Sequence, residues 1–143
     1  MAKVITVVVE TGKDLFACFM AKESHEGLNF GICGDGKTVK AAIDDFFVAR
    51  DEMKAFFEER GEEFPDMEFR FVFDVGAFFN YYPLSITAFA KYIGMNPSLL
   101  RQYASGLKEP KGKSLERIRQ GIHKVVGDIG TGLLIEKPVL QYC

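Results

Sequence analysis

The chain has 143 residues, of which 48% are hydrophobic, and 14 of them are phenylalanine. This composition excludes a wholly disordered chain, and the length allows one domain or two small ones. The net charge of −2 is unevenly divided, because residues 1–79 carry −7, residues 80–127 carry +6 and residues 128–143 carry −1. The division predicts two modules with different partners, a basic one that attracts a polyanion and an acidic one that repels it.

Three strands are expected first. KVITVVVET is dense in β-branched residues, which is typical of a buried strand. DLFACFMAKE is apolar at both odd and even positions, as in a strand with both sides covered. After the loop SHEG, LNFGIC offers a third and shorter strand.

The period then changes to that of a helix. Thr38 is placed to cap a helix over residues 39–60, which Gly61 ends. Its apolar stripe is formed by Val39, Ile43, Phe46, Met53 and Phe57, with Ala42, Ala49 and Phe56 beside it. MEFRFVFDV is a fourth strand, which places on one face Phe69, Phe71, Phe73 and Val75. The order predicts an α+β layer of one sheet and one helix.

The second half is predicted to be helical. Ala77–Tyr82 is expected to form a short helix or linker that docks the two modules through buried rings, namely Phe78, Phe79, Tyr81 and Tyr82. Three helices follow at about Ile86–Ile93, Pro97–Ser105 and Ser114–Val126. We therefore predict a partner-binding module over residues 1–76, a helical domain over residues 77–130 and a tail of unassigned structure over residues 131–143.

The predicted helices Ile86–Ile93 and Pro97–Ser105 have the pattern of a helix–turn–helix. Ala90 is the small residue where the two helices cross, and Gly94 begins the turn. Leu100 and Tyr103 would pack the second helix on the first. The remaining face could then enter a DNA major groove, and its candidate base-reading residues are Ser98, Leu99, Arg101 and Gln102.

Phosphate contacts are expected beside this helix. The residues in question are Asn96, at the helix start, and the lysines of the following loop, Lys108, Lys111 and Lys113. The alternative interpretation of the whole segment is a small helical bundle with a solvated polar face.

The segment ITAFAKYIGMNPSLLRQYASGLKEPKGKSLERIRQGI resembles the helix–turn–helix of phage-repressor-type, or Xre-like, regulators. With the strand–strand–strand–helix–strand module before it, the chain resembles HicB antitoxins that carry a C-terminal helix–turn–helix domain. This resemblance implies an N-terminal βββαβ module with a partial ribonuclease-H-like fold and no nuclease activity. It further implies that this module binds a small basic mRNA-cleaving toxin, and that a homodimer or higher homo-oligomer represses the operon at double-stranded operator DNA.

Two alternatives to an antitoxin remain open. The first is a stand-alone DNA-binding regulator whose N-terminal module binds a ligand or oligomerises. The second is a nucleotide-binding enzyme, because Gly31–Thr38 matches the phosphate-loop pattern GxxxxGK followed by Ser or Thr. The lack of repeated βα units argues against the second alternative.

No catalytic residue, cofactor or metal site is expected. Of the strand-borne carboxylates that a metal-dependent nuclease would need, the first strand offers only Glu10. The three cysteines, Cys18, Cys33 and Cys143, are widely spaced, which disfavours a disulfide framework or a zinc site and indicates a cytoplasmic protein. VITVVV is too short to cross a bilayer, so no membrane partner is expected.

Overall fold

A computed structural model describes residues 2–136, and over this range the chain belongs to the α+β class. The elements in chain order are β1 (Lys3–Thr11), β2 (Phe16–Met20), a 3₁₀ helix (Lys22–Ser24), β3 (Cys33–Gly36), α1 (Val39–Glu59), β4 (Met67–Phe73), α2 (Val75–Tyr81), α3 (Ile86–Ile93), α4 (Pro97–Ser105) and α5 (Lys113–Gly130). None of the helices within residues 2–136 is both long enough and apolar enough to cross a bilayer.

The four strands form one sheet in the order β3-β2-β1-β4. The strand pairs β1–β2 and β2–β3 are antiparallel, whereas β4 lies parallel to β1. The register is illustrated by Val9 of β1, which pairs with Cys18 of β2 on one side and with Phe73 of β4 on the other. The predicted succession of three strands, a helix and a fourth strand is confirmed, and so is the α+β class.

Helix α1 covers one face of the sheet. Side chains of β1 and α1 meet there without solvent exposure, and they include Ile5, Val7, Val9, Val39, Ala42 and Phe46. The ring of Phe46 contacts that of Phe69 edge-on, with their centroids 5.2 Å apart. The predicted apolar stripe of α1 therefore meets the phenylalanine face of β4, although Phe56 at the edge of that stripe is 49% exposed.

The opposite face of the sheet is partly open. Phe19 of β2 is 36% exposed, and Val4 of β1 and Val72 of β4 are more exposed still. The prediction that β2 is covered on both sides was therefore wrong. Apolar residues occur on both faces of β2, but α1 packs only on the face that carries Cys18 and Met20.

The third strand lies further along the chain than LNFGIC predicts. Phe30 is a loop residue whose ring packs on those of Phe57 and Phe64, and pairing with β2 begins only at Cys33. The missing side chain of Gly34 allows β3 to lie close to α1, because a Cβ at this position would lie 2.8 Å from the Ala42 carbonyl oxygen. Close approach of α1, rather than strand propensity, thus determines where β3 forms.

Helix α2 joins the two hydrophobic cores. It begins at Val75, two residues earlier than predicted, because the Asp74 carboxylate accepts a hydrogen bond from the Ala77 N–H at 2.8 Å. Ala77 packs in the core of the sheet, whereas Phe79 packs in the core of the helices. The predicted boundary between residues 76 and 77 therefore falls inside a helix, and Val75 belongs to α2 rather than to β4.

Two of the four aromatic rings predicted to be buried near α2 are exposed. Tyr81 and Tyr82 are 42% and 40% exposed, respectively. The Tyr81 ring stacks on that of Phe73 with the centroids 5.5 Å apart, which places both tyrosines at the edge of the sheet rather than beneath it. Phe78 and Phe79, by contrast, do pack in the helical core.

The remaining helices follow the sequence signals closely. The bounds of α3 and α4 agree with the prediction at both ends, whereas α5 runs from Lys113 to Gly130 and is longer than the predicted Ser114–Val126. Of the predicted tail, residues 132–136 are irregular and exposed, and residues 137–143 lie outside the described range.

Candidate nucleic-acid interface

A three-residue turn joins α3 to α4. Gly94 closes α3 in the left-handed conformation, with φ of 71°, and Met95 is buried behind it. Asn96 then caps α4, because its Oδ1 accepts a hydrogen bond from the Ser98 N–H at 2.8 Å, and Pro97 occupies the first helical position. The turn needs glycine at its start and a capping side chain at its end, and both stand where the sequence predicts them.

The orientation of α4 is set by its packing on α2 and α3. Leu100 and Ala90 are fully buried, and Tyr103 is half-buried against the same cluster, as predicted. On the other side of α3, the absence of a side chain at Gly121 lets α5 approach, since a Cβ there would lie 3.1 Å from Cζ of Phe89. The side of α4 opposite Leu100 is thereby directed to solvent.

The four candidate base-reading residues divide into two pairs. Ser98 and Arg101 are exposed on α4. Leu99 is half-buried against the helical core, so part of its side chain serves packing. Gln102 is also half-buried, and its Oε1 atom is buried without a hydrogen-bond partner among the described residues. Of the four, Ser98 and Arg101 are therefore the side chains most available to a ligand, and base reading by all four stays a prediction.

Arg101 is held by a residue that the sequence did not single out. Its Nη2 donates a hydrogen bond to Oγ1 of Thr87 at 3.0 Å, so the guanidinium is fixed against the first turn of α3. A hydroxyl at this position is visible in the sequence, but the contact depends on how α3 and α4 cross. Sequence spacing alone could not have identified it.

The predicted phosphate-contacting residues are not all brought together. Lys113 lies with Asn96 beside the start of α4, where both line a cleft of about 190 Å³. Arg117, which is not among the predicted phosphate-contacting residues, also lines this cleft and donates from Nη1 to the Gly94 carbonyl oxygen at 3.3 Å. Two cations therefore share one surface at the start of α4, where the helix dipole also favours an anion, and phosphate binding there stays a prediction.

The other two lysines lie further along the loop that joins α4 to α5. Lys108 lines a separate cleft with Glu10 and Thr11 at the end of β1. Lys111 is exposed within the same loop. The loop is thus cationic, as predicted, but it reaches from the start of α5 toward the acidic sheet rather than following α4.

Asp128 at the far end of α5 ties that helix to α3. The Tyr92 hydroxyl donates to Oδ2 of Asp128 at 2.6 Å, and Nζ of Lys124 lies 4.8 Å from the Tyr92 ring centroid. Desolvation and this hydrogen bond raise the pKa of Tyr92 to about 12. Tyr92 therefore remains protonated at neutral pH and acts as a structural donor.

The segment Gly31–Thr38 does not form a phosphate-binding loop. Residues 33–36 are paired with β2 as a strand, and the missing side chains of Gly34 and Gly36 make room for α1. Thr38 uses its hydroxyl to accept a hydrogen bond from the Ala41 N–H at 3.0 Å. This geometry leaves the nucleotide-binding alternative without its loop. Within residues 2–136, no three His, Cys, Asp or Glu side chains are grouped so that they could hold a metal ion.

Known proteins add nothing to this geometry. No protein-family model, curated protein or solved structure matches the chain.

Proposed function

We propose that this chain is a HicB-like antitoxin that represses its own operon, with α3 and α4 forming a helix–turn–helix whose second helix reads the major groove of operator DNA. One observation carries the proposal. Arg101 is exposed on a helix that buried Leu100 holds in place, and Lys113 and Arg117 flank the start of that helix. The proposed base-reading residue thus belongs to α4, and the two proposed phosphate-binding residues flank the start of the same helix.

The charges of the second half support a polyanionic partner. Residues 80–127 carry eight Lys and Arg against two Asp and Glu. Within this segment, Arg101 can bind O6 and N7 of guanine through two parallel N–H donors. Because one short helix reads few base pairs, a homodimer on a two-fold operator is part of the proposal.

The first module supports a protein partner of opposite charge. Its sheet order, β3-β2-β1-β4 with β4 parallel to β1, is compatible with the partial ribonuclease-H-like fold of HicB antitoxins. The partly open face presents apolar side chains, Val4, Phe19 and Val72, in a segment of net charge −7. An apolar patch in acidic surroundings suits a small basic protein, such as an mRNA-cleaving toxin.

The DNA-binding half of the proposal is tested with duplexes from the promoter of the protein's own operon. We expect binding that weakens steeply with salt, and a loss of about ten- to a hundredfold for Arg101→Ala on the operator. Arg60→Ala is the matched control, because Arg60 is an exposed arginine at the end of α1 in the acidic module. A protein that ignores this DNA at low salt is not a repressor of that operon.

The partner-binding half is tested by co-expression with the product of the neighbouring reading frame. We expect a stable complex that Phe19→Asp disrupts, since this change places a carboxylate on the open face of the sheet. The same variant is expected to keep its affinity for operator DNA. Arg101→Ala should show the reverse pattern, and loss of both activities in either variant would argue against separate binding surfaces.

A ligand-controlled regulator is the second candidate. A cavity of about 280 Å³ lies between α2 and α5, where its walls include Phe79, Leu115 and Ile118. Its volume suits a small amphipathic molecule, and Arg119 on its wall could pair with an acidic group. A genome without a small basic reading frame next to this gene, together with a metabolite that shifts both the melting temperature and the operator affinity, would favour this candidate.

A further inference from the structure

We propose that Thr87 is the positioning residue for Arg101, and that the pair gives α4 a preference for guanine at one base pair of its site. This inference rests on the proposed function, since it concerns how the helix–turn–helix selects a sequence. It goes beyond that function because it assigns a specificity role to a residue of the first helix, which does not itself read a base.

The contact joins a stiff residue to a flexible one. Thr87 is the second residue of α3, half-buried, and its β-branched side chain has few rotamers in a helix. Arg101 follows the fully buried Leu100 and is exposed. The 3.0 Å hydrogen bond from Nη2 of Arg101 to Oγ1 of Thr87 therefore ties the long arginine side chain to a residue that moves little.

The support is neutral, and this matters for what Arg101 can bind. None of the ion pairs found within residues 2–136 includes Arg101. A carboxylate in place of Thr87 would orient the guanidinium but would also neutralise the charge that attracts DNA. A hydroxyl accepts one hydrogen bond and leaves both the positive charge and the other four N–H donors for a ligand.

A restrained guanidinium favours guanine over the other bases. Guanine presents two acceptors, N7 and O6, on its major-groove edge, whereas adenine presents one acceptor and a donor amino group. A flexible arginine can avoid the adenine amino group and contact a phosphate instead. An arginine fixed by Thr87 has less freedom to do so, so the hydrogen bond is expected to act on base discrimination more than on total affinity.

The test uses duplexes selected from a randomised pool by the wild-type chain, together with Thr87→Val and Thr87→Ser. Valine keeps the branched shape and removes the acceptor, whereas serine keeps the acceptor. We expect the sites selected by the wild type to have guanine at one fixed position, and we expect Arg101→Ala to show no base preference at that position. At that position Thr87→Val is expected to lower the preference for guanine over adenine by about three- to tenfold, and Thr87→Ser to retain most of it.

Two further measurements separate positioning from other roles. The melting temperature of Thr87→Val and the salt dependence of its binding to poly(dI-dC) are expected to equal those of the wild type. An unchanged guanine preference in Thr87→Val overturns the inference but leaves the proposed function intact. An equal loss on all duplexes also overturns it, because Thr87 would then act through a phosphate or through folding. If the wild type enriches no sequence at all, the proposed function fails as well.

Discussion

Replacing Leu100 by alanine is the most direct test of how α4 is anchored. Leu100 has no solvent exposure and lies in the core cluster of the helices with Phe89, Ala90 and Ile118. The substitution removes three carbon atoms from a site whose neighbours come from separate helices. Each of these helices is also held by other contacts, so we expect only partial collapse into the space.

The expected loss of stability is about 3 to 4 kcal/mol, the middle of the range for a fully buried leucine. Such a loss is large against the roughly 5–15 kcal/mol by which proteins are stable. For a chain of this size it corresponds to a fall in melting temperature of about 10 °C. Leu107→Ala is the matched control, because Leu107 follows α4 closely in sequence but is 76% exposed. We expect the control to change stability by less than about 0.5 kcal/mol.

Urea titration followed by circular dichroism measures both variants, and calorimetry shows whether each unfolds in one transition. Both keep Arg101, so the operator affinity of the folded fraction should remain that of the wild type. A loss below about 1 kcal/mol for Leu100→Ala, or an equal loss in both variants, would show that Leu100 does not anchor α4.

Three other changes test local features of the fold. Gly76→Ala is expected to cost about 2 kcal/mol or more of stability, because its Cβ would overlap the Ala104 carbonyl. Gly127→Ala in α5 should stabilise the chain by roughly 0.5–1 kcal/mol in the same urea titration, because no atom lies within 4 Å of where the new Cβ would be. Asn96→Ala should lower stability by about 1 kcal/mol through loss of the cap, whereas Asn96→Asp should keep the stability and weaken DNA binding by repelling phosphate. Burial raises the pKa of the Cys18 thiol to about 11, so the folded chain keeps this proton to a higher pH than the unfolded chain does. The free energy of unfolding should therefore be unaffected by this thiol below about pH 9 and should fall by about 2 to 3 kcal/mol between pH 9 and 11. This part of the pH dependence of stability should disappear in Cys18→Ala.

Helices α3 and α4 could be predicted at both ends because local chemistry determines where they begin and end. Asn96 and Pro97 start α4, and Gly94 and Gly106 terminate helices through positive φ values of 71° and 82°. Each signal acts within one turn of the helix and does not depend on the rest of the fold. The packing of Leu100 follows from the same helical period, since it is the one fully buried residue of α4.

The features that the sequence did not reveal depend on contacts between distant elements. Whether Phe19 is covered depends on which face of the sheet α1 occupies, and alternation of apolar residues within β2 cannot determine this. The position of β3 depends on Gly34 meeting the backbone of α1. The hydrogen bond from Arg101 to Thr87 spans 14 positions and forms only when two helices cross at a suitable angle. Propensity and periodicity are local signals, so they do not contain this information.

The junction between the two cores links the sheet to α4. Both oxygens of the Asp74 carboxylate accept hydrogen bonds from Thr11, each at 2.7 Å, and this ties the start of α2 to the end of β1. Gly76, in the first turn of α2, lies against the Ala104 carbonyl of α4.

The end of β1 also shares a cleft with the loop that follows α4, and the walls of this cleft include Phe19 and Lys108. A partner that covers Phe19 on the open face would therefore border Lys108, which the sequence predicts to contact a DNA phosphate. Any effect of that partner on operator affinity must be matched by an equal effect of operator DNA on partner affinity, because the two equilibria share one folded chain. Measuring each affinity with the other ligand saturating thus tests the junction as well as the two proposed surfaces. If the factor by which the partner changes operator affinity differs from the factor by which operator DNA changes partner affinity, the two ligands do not bind the same species of the protein.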